Sequence, residues 1–342
     1  MKKNFFQLIK YALLLTLVAF MLAVFMPRSY DVPQMHKRNG TQYWELQTGS
    51  TIAYTLVPAK GPKKPFPIIY LQGGPGGFIS DRNIEMFAPL SEDGFDIYLY
   101  DQIGSGLSDR LPNIKDYTAD RHKIDLEEII QKIGTTQVIL IGQSWGASLA
   151  ALFIADNPEK VESVVFTGPG SILPMREELK SANPPDSLNL RKPPYSNMEA
   201  IDKSANIRSE VVSFWAKSFG HKLASDKEAD DFQTSLNHEQ NKATVCDISK
   251  ALKAEGGGGF YAQVMTARSF NEIKDPRPRI KGLKIPVLIM KGQCDNQPWG
   301  FVNEYLELFP NHQLIIVPDA GHAISVEQPE LYLKIIREFL NQ

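Results

Sequence analysis

Ile141-Gly142-Gln143-Ser144-Trp145-Gly146 is the stretch that decides how this chain folds. Before it, Gln137-Val138-Ile139-Leu140-Ile141 has the composition of a buried strand. After it, ASLAALFIA from Ala147 to Ala155 is rich in Ala and Leu and fits a helix. A serine in a G-x-S-x-G turn between strand and helix sits on a sharp, strained elbow that lifts its hydroxyl above the sheet. Glycine is needed on both sides, because a Cβ at either position would strike the neighbouring strand or helix. The elbow also places Ser144 at a helix N-terminus, where unpaired N–H groups favour a developing negative charge. Ser144 is the expected nucleophile.

Its partners should follow in the order Ser, acid, His, each at the exit of a strand. Of six histidines, only His322 leaves an apolar strand (Leu314-Ile315-Ile316-Val317) on a turn, Pro318-Asp319-Ala320-Gly321-His322. His312 precedes that strand and reads as a surface turn residue. For the acid, Ile285 to Met290 is another buried strand and Lys291-Gly292-Gln293-Cys294-Asp295 its exit loop. Between Asp295 and His322 there is room for one helix, Asn303 to Phe309, and one strand. Asp319 shares the histidine's own loop and reads as a turn former, Asp275 as a linker residue, and Asp101 as the end of a strand. Asp295 is the expected carboxylate that orients the imidazole.

An oxyanion hole needs two backbone N–H donors. One is expected from Trp145, the residue after the nucleophile. The other is expected after the early strand Phe66 to Leu71, in Gln72-Gly73-Gly74-Pro75-Gly76-Gly77, where four glycines let backbone approach a ligand unobstructed. A phosphate-binding loop is excluded here, since the stretch lacks both the Gly-Lys-Ser/Thr ending and dinucleotide spacing.

Gly73-Gly74-Pro75-Gly76-Gly77, Asp101-Gln102-Ile103-Gly104-Ser105-Gly106-Leu107-Ser108 and Gly142-Gln143-Ser144-Trp145-Gly146 together resemble the prolyl aminopeptidase (proline iminopeptidase) group of α/β-hydrolases, the S33 type. The resemblance runs from about residue 45 to the end. It implies Ser144, Asp295 and His322 as the triad, Gly74 and Trp145 as oxyanion donors, and removal of an N-terminal residue, often proline, from peptides. Some relatives release tripeptides or hydrolyse esters and amides. Three departures bear on specificity: Gln72 stands where the group has histidine, Ile103 where it has arginine, and the insertion lacks a Trp-x-x-Trp-Glu stretch. In relatives that glutamate binds the substrate amine; in this chain Glu177, Glu178, Glu210 and Glu272 are the candidate replacements.

The N-terminus is set apart by hydropathy. Tyr11 to Met26 (YALLLTLVAFMLAVFM) carries no charge, and the apolar run starting at Phe5 is long enough to cross the roughly 30 Å hydrocarbon core as a helix. Val24-Phe25-Met26-Pro27 offers no small-x-small cleavage site. An uncleaved anchor with an extracytoplasmic enzyme body is therefore expected over secretion after signal cleavage. In such a compartment Cys246 and Cys294 are permitted to pair, which would pin the insertion to the catalytic loop. The net charge of −2 gives no reason to expect nucleic-acid binding.

Strands alternating with helices point to a mostly parallel sheet covered on both faces, an α/β-hydrolase fold with a helical cap insertion. The expected organisation is 1-27 anchor or signal, 28-42 stalk, 43-170 first part of the core, 171-281 cap, and 282-342 second part of the core. Gly256 to Gly259 reads as a flexible break, and Gly73, Trp215, Phe260 and Tyr261 as pocket lining. The expected activity is peptide hydrolysis through an acyl-enzyme, without metal or organic cofactor. Ester or amide hydrolysis on the same scaffold is the alternative, and a catalytically silent membrane-bound binding protein the more distant one.

Overall fold

A computed structural model describes residues 2–342; Met1, the first residue of the expected anchor, lies outside them. The chain opens with a long helix, α1 (Lys2–Phe25), whose Phe5–Phe25 stretch is exposed apart from Val24 and is long and apolar enough to cross a membrane. An antiparallel hairpin follows, β1 (Thr41–Glu45) and β2 (Thr51–Val57). Then come β3 (Ile68–Leu71), α2 (Asp81–Phe87), β4 (Ile97–Tyr100), α3 (Ala119–Ile133), β5 (Val138–Gln143), α4 (Trp145–Asp156) and β6 (Val161–Thr167).

The insertion between β6 and β7 carries α5 (Asn197–Ser204), α6 (Ile207–Phe219), α7 (Asp226–Gln240), α8 (Phe260–Arg268) and the short α9 (Arg277–Ile280). The sheet resumes with β7 (Val287–Gly292), α10 (Trp299–Leu308), β8 (His312–Val317), α11 (Ile324–Glu327) and α12 (Pro329–Leu340). The strand order is β1-β2-β4-β3-β5-β6-β7-β8, antiparallel across β1, β2 and β4 and parallel from β4 to β8. Every residue of β3 and β7 is buried, as expected of strands covered on both faces. Two apolar layers do the covering. One packs α3, α4 and α10 against the sheet, and the other packs α2 and α12.

Two expectations from sequence give way here. Residues 28–42 are not a free stalk. The Arg28 N–H donates to the Glu228 carboxylate at 3.0 Å, Tyr30 packs on Phe232, and Arg38 is buried with its guanidinium 2.7 Å from Asp101. Thr41 and Gln42 already belong to β1. A segment bearing an aromatic ring and a cation with a buried counter-ion gains more against the body than in water. Gly256 to Gly259 is likewise no loose break: a Cβ on Gly256 would meet the Pro33 backbone, and one on Gly259 would lie 2.8 Å from the Gly104 carbonyl oxygen. Those glycines are there for close approach.

Cys246 and Cys294 form a disulfide that ties the insertion to the loop after β7 and closes a separation of 48 residues. Replacing both cysteines by serine is expected to cost about 4 kcal/mol of stability, the chain-entropy value for a loop of this length, as read from urea denaturation.

Candidate active site

Ser144 has φ 55° and ψ −116°, a backbone conformation that few L-residues adopt, and it stands immediately before α4. The turn is held from both sides: the Ser144 N–H donates to the Thr167 carbonyl at 3.0 Å, and the Ser144 carbonyl accepts from Gly170 at 3.1 Å. A Cβ on Gly142 would fall 2.7 Å from the Gly146 carbonyl carbon, and one on Gly146 would fall 2.6 Å from the Leu71 carbonyl carbon. The glycines are thus demanded by the crossing of β5, β3 and α4.

His322 and Asp295 meet at the ends of β8 and β7. Nδ1 of His322 lies 2.9 Å from Oδ1 of Asp295, both side chains buried. With Nδ1 committed to the carboxylate, Nε2 is directed away from it. His322 and Ser144 line the same cavity of about 430 Å³. Burial opposes ionisation of Asp295, yet the Lys291 ammonium, the imidazole and the Gln297 N–H together hold its carboxyl well below the usual carboxylate range. Among the described residues Ser144 Oγ has no hydrogen-bond partner.

The glycine loop runs alongside. A Cβ on Gly73 would sit 3.3 Å from Cβ of Ser144, and Gly74 has φ +130°. The Gly73 N–H is taken by Oε1 of its neighbour Gln72 at 3.1 Å. The N–H groups of Gly74 and Trp145 find no acceptor among the described residues. Gln102, inside the Asp-Gln segment, stitches the loop to the elbow. Its Nε2 donates to the carbonyls of Gln72 and Gly73 at 2.8 and 3.0 Å, while its Oε1 accepts from Gly76 N and Trp145 Nε1 at 3.0 and 3.1 Å. Asp101 beside it is structural: its carboxylate accepts from Arg38, from Ile79 N at 2.9 Å and from Leu107 N at 2.7 Å.

Glu327 does similar work on the histidine side. Its carboxylate collects the N–H groups of Cys246, Asp247 and Gly321, so the insertion and the loop bearing His322 share one buried anion. The other aspartate of that loop, Asp319, has φ 50° and an exposed ion pair with Arg191 at 2.7 Å, consistent with a turn former.

The remaining residues expected at the pocket are arranged differently. Gly73 lines the cavity; Trp215, Phe260 and Tyr261 do not. Phe260 and Tyr261 are buried in the cap core, with the Tyr261 hydroxyl donating to the Ala224 carbonyl at 2.8 Å, and Trp215 packs on Phe219. Helical spacing explains the swap, because the face of α8 that reaches the cavity is that of Gln263. Glu177, Glu178, Glu210 and Glu272 are all exposed and off the cavity wall. Among the described residues its one carboxylate is Glu255, which is solvent-exposed and whose carboxyl is raised by partial desolvation. Ten of the lining residues are asparagine or glutamine, so the wall offers many neutral hydrogen-bond donors and acceptors. Among the described residues no cluster of His, Cys, Asp and Glu suits a metal ion.

Residues 67–329 match the alpha/beta hydrolase fold family. The chain belongs to that family. It is 27% identical over 282 residues to a proline iminopeptidase of Heyndrickxia coagulans, spanning 80% of this chain and 90% of that one. It is 35% identical over 285 residues to a proline iminopeptidase of Lactobacillus delbrueckii subsp. bulgaricus, spanning 80% and 89%. An esterase from Exiguobacterium antarcticum shares the fold with a TM-score of 0.60 at 16% identity, over 88% of this chain and 99% of that one. The α/β-hydrolase expected from sequence is thus a proline iminopeptidase-like member of its family.

Replacing Gln102 by alanine strips partners from two carbonyls and two N–H groups between the glycine loop and the elbow. The expected loss is about 2–4 kcal/mol of stability in urea denaturation.

Proposed function

We propose that this hydrolase is a serine peptidase acting at the free N-terminus of short peptides. The observation that carries the reading is the strained Ser144 elbow sharing a cavity with a histidine whose Nδ1 is held by a buried carboxylate. In this reading Nε2 of His322 takes the Ser144 proton as Oγ attacks the amide carbonyl. The N–H groups of Gly74 and Trp145 receive the oxyanion, and the imidazolium returns its proton to the leaving amine. Water, deprotonated by the same imidazole, then releases the acyl group and restores Ser144.

The wall favours a peptide over a purely apolar acyl ester. A peptide backbone presents donors and acceptors at every residue, and a carboxamide-rich surface can match them without a charge to desolvate. Glu255 is the cavity's only carboxylate and is the residue to which a substrate ammonium would be drawn. Ester hydrolysis remains the second reading, favoured by Gln72, Ile103 and the missing Trp-x-x-Trp-Glu stretch. In a comparison of prolyl-naphthylamide with short acyl esters, the amide is expected to be the better substrate. Ser144→Ala is expected to abolish labelling by a fluorophosphonate probe. Glu255→Gln is expected to raise KM about tenfold for substrates with a free amine and to leave N-blocked ones unchanged. Failure of the folded wild-type protein to label at all would instead favour a silent binding protein.

We also place α1 in the membrane with the body on the extracytoplasmic side. The disulfide supports this reading, since such bonds persist in oxidising compartments. The protein is expected to stay in the pellet after carbonate extraction of membranes and to retain residues of α1 on N-terminal sequencing. A soluble product starting beyond residue 26 would establish the secreted form instead.

A further inference from the structure

The proposed reaction uses Asp295 and His322 but leaves one buried charge beside them without a task. Lys291 is the penultimate residue of β7 and is among the largest fully buried side chains of the molecule, 2% exposed. It follows Val287-Leu288-Ile289-Met290 on a strand enclosed between β6 and β8. Its Nζ donates to the Gln297 carbonyl at 2.9 Å and lies 3.2 Å from Oδ2 of Asp295. Oδ2 has no hydrogen-bond partner in its own right. The contact with Lys291 is therefore through-space attraction with poor alignment, in a site without water-like screening.

We propose that Lys291 is a positioning residue that holds Asp295 as an anion and sets the pH range over which the Asp295–His322 pair is ready to act. The inference rests on the serine hydrolase reading given above. A carboxylate buried beside neutral imidazole alone would be an unbalanced charge, and the pair would relieve it by taking up a proton. Lys291 sets its ammonium against the opposite oxygen. The carboxylate is then balanced before any substrate arrives, and the pair gains less from protonation. A simple carboxylate–imidazole pair would be protonated, and its base occupied, at a higher pH than this one.

The other charges around the pair do not substitute for Lys291: Arg82, Lys253 and Glu255 share the cavity with His322 but are solvent-exposed. Glu327 of α11 is an anion saturated by three backbone N–H groups. The Arg191–Asp319 pair is exposed and self-balanced. Lys291 and His322 flank one carboxylate, which puts them roughly 6–8 Å apart; at the effective dielectric of protein sites a unit charge at that range displaces a titration by about one to two pH units.

The test is the pH dependence of the second-order rate of labelling by a fluorophosphonate probe, which reads the readiness of Ser144 and its base without knowledge of the natural substrate. In Lys291→Met, or in Lys291→Gln, which keeps a donor for the Gln297 carbonyl, the acid limb is expected to move up by about one pH unit or more. Lys291→Arg, which keeps the charge, is expected to restore the wild-type limb. A folded neutral variant whose limb coincides with wild type overturns the proposal. Should neither neutral variant fold, the wild-type profile decides: a limb below about pH 6.5, the ordinary imidazole value, supports it, and one at or above that value overturns it. Absence of any labelling in folded wild-type protein would instead count against the serine hydrolase reading itself.

Discussion

Between β5 and α4 the chain reverses direction within one residue, and the rest of the molecule is arranged to permit it. Ser144 can hold φ 55° only while Gly142 and Gly146 let α4, β3 and β5 cross without side chains between them. The cost of that conformation, of order 1–3 kcal/mol, is met by the buried strands on either side and by hydrogen bonds to Thr167 and Gly170. Once the turn is fixed, the sheet's register sets the rest. β6 supplies the acceptor for Ser144 N, β7 and β8 run parallel beyond it, and their exit loops bring Asp295 and His322 to the same edge.

Around this turn the protein buries charge in balanced groups. Arg38 pairs with Asp101 beside Gln102, Lys291 with Asp295, and Glu327 with three N–H groups around the loop of His322. Such groups are poor sources of net stability, because desolvation consumes most of the attraction. They are good at fixing position, since any other arrangement would leave a bare charge in a dry site. Gln102 accomplishes the same with a neutral group: one carboxamide satisfies four partners that would otherwise let the glycine loop and Trp145 drift apart.

How much of this is legible in the residues alone depends on range. The elbow, the strand exits bearing Asp295 and His322, and the glycine loop are local patterns, in which a strand's end and the following turn are contiguous in sequence. The helical lining is not legible in the same way, because Phe260 and Gln263 occupy one helix and only packing decides which face meets the cavity. Glu255 gives no sign in the sequence, since it lies in an irregular stretch with no periodicity to aim it. Lys291 does leave a trace: a lysine directly after Val-Leu-Ile-Met in an otherwise apolar strand has to find an anion, and Asp295 is one helical turn's distance along the chain. The segment 28–42 reads as a stalk because polar residues there hide long-range partners, Glu228 and Asp101, that no local window contains.

The insertion is stitched down along more than one side. The disulfide fixes Cys246 to the loop of Asp295, Arg110 of the core pairs with Asp230 of α7 at 2.9 Å, and Arg208 of α6 holds both Glu228 and the Val24 carbonyl at the end of α1. Because one of these ties ends on Cys294, next to Asp295, any shift of the insertion is passed directly to the loop that carries that carboxylate.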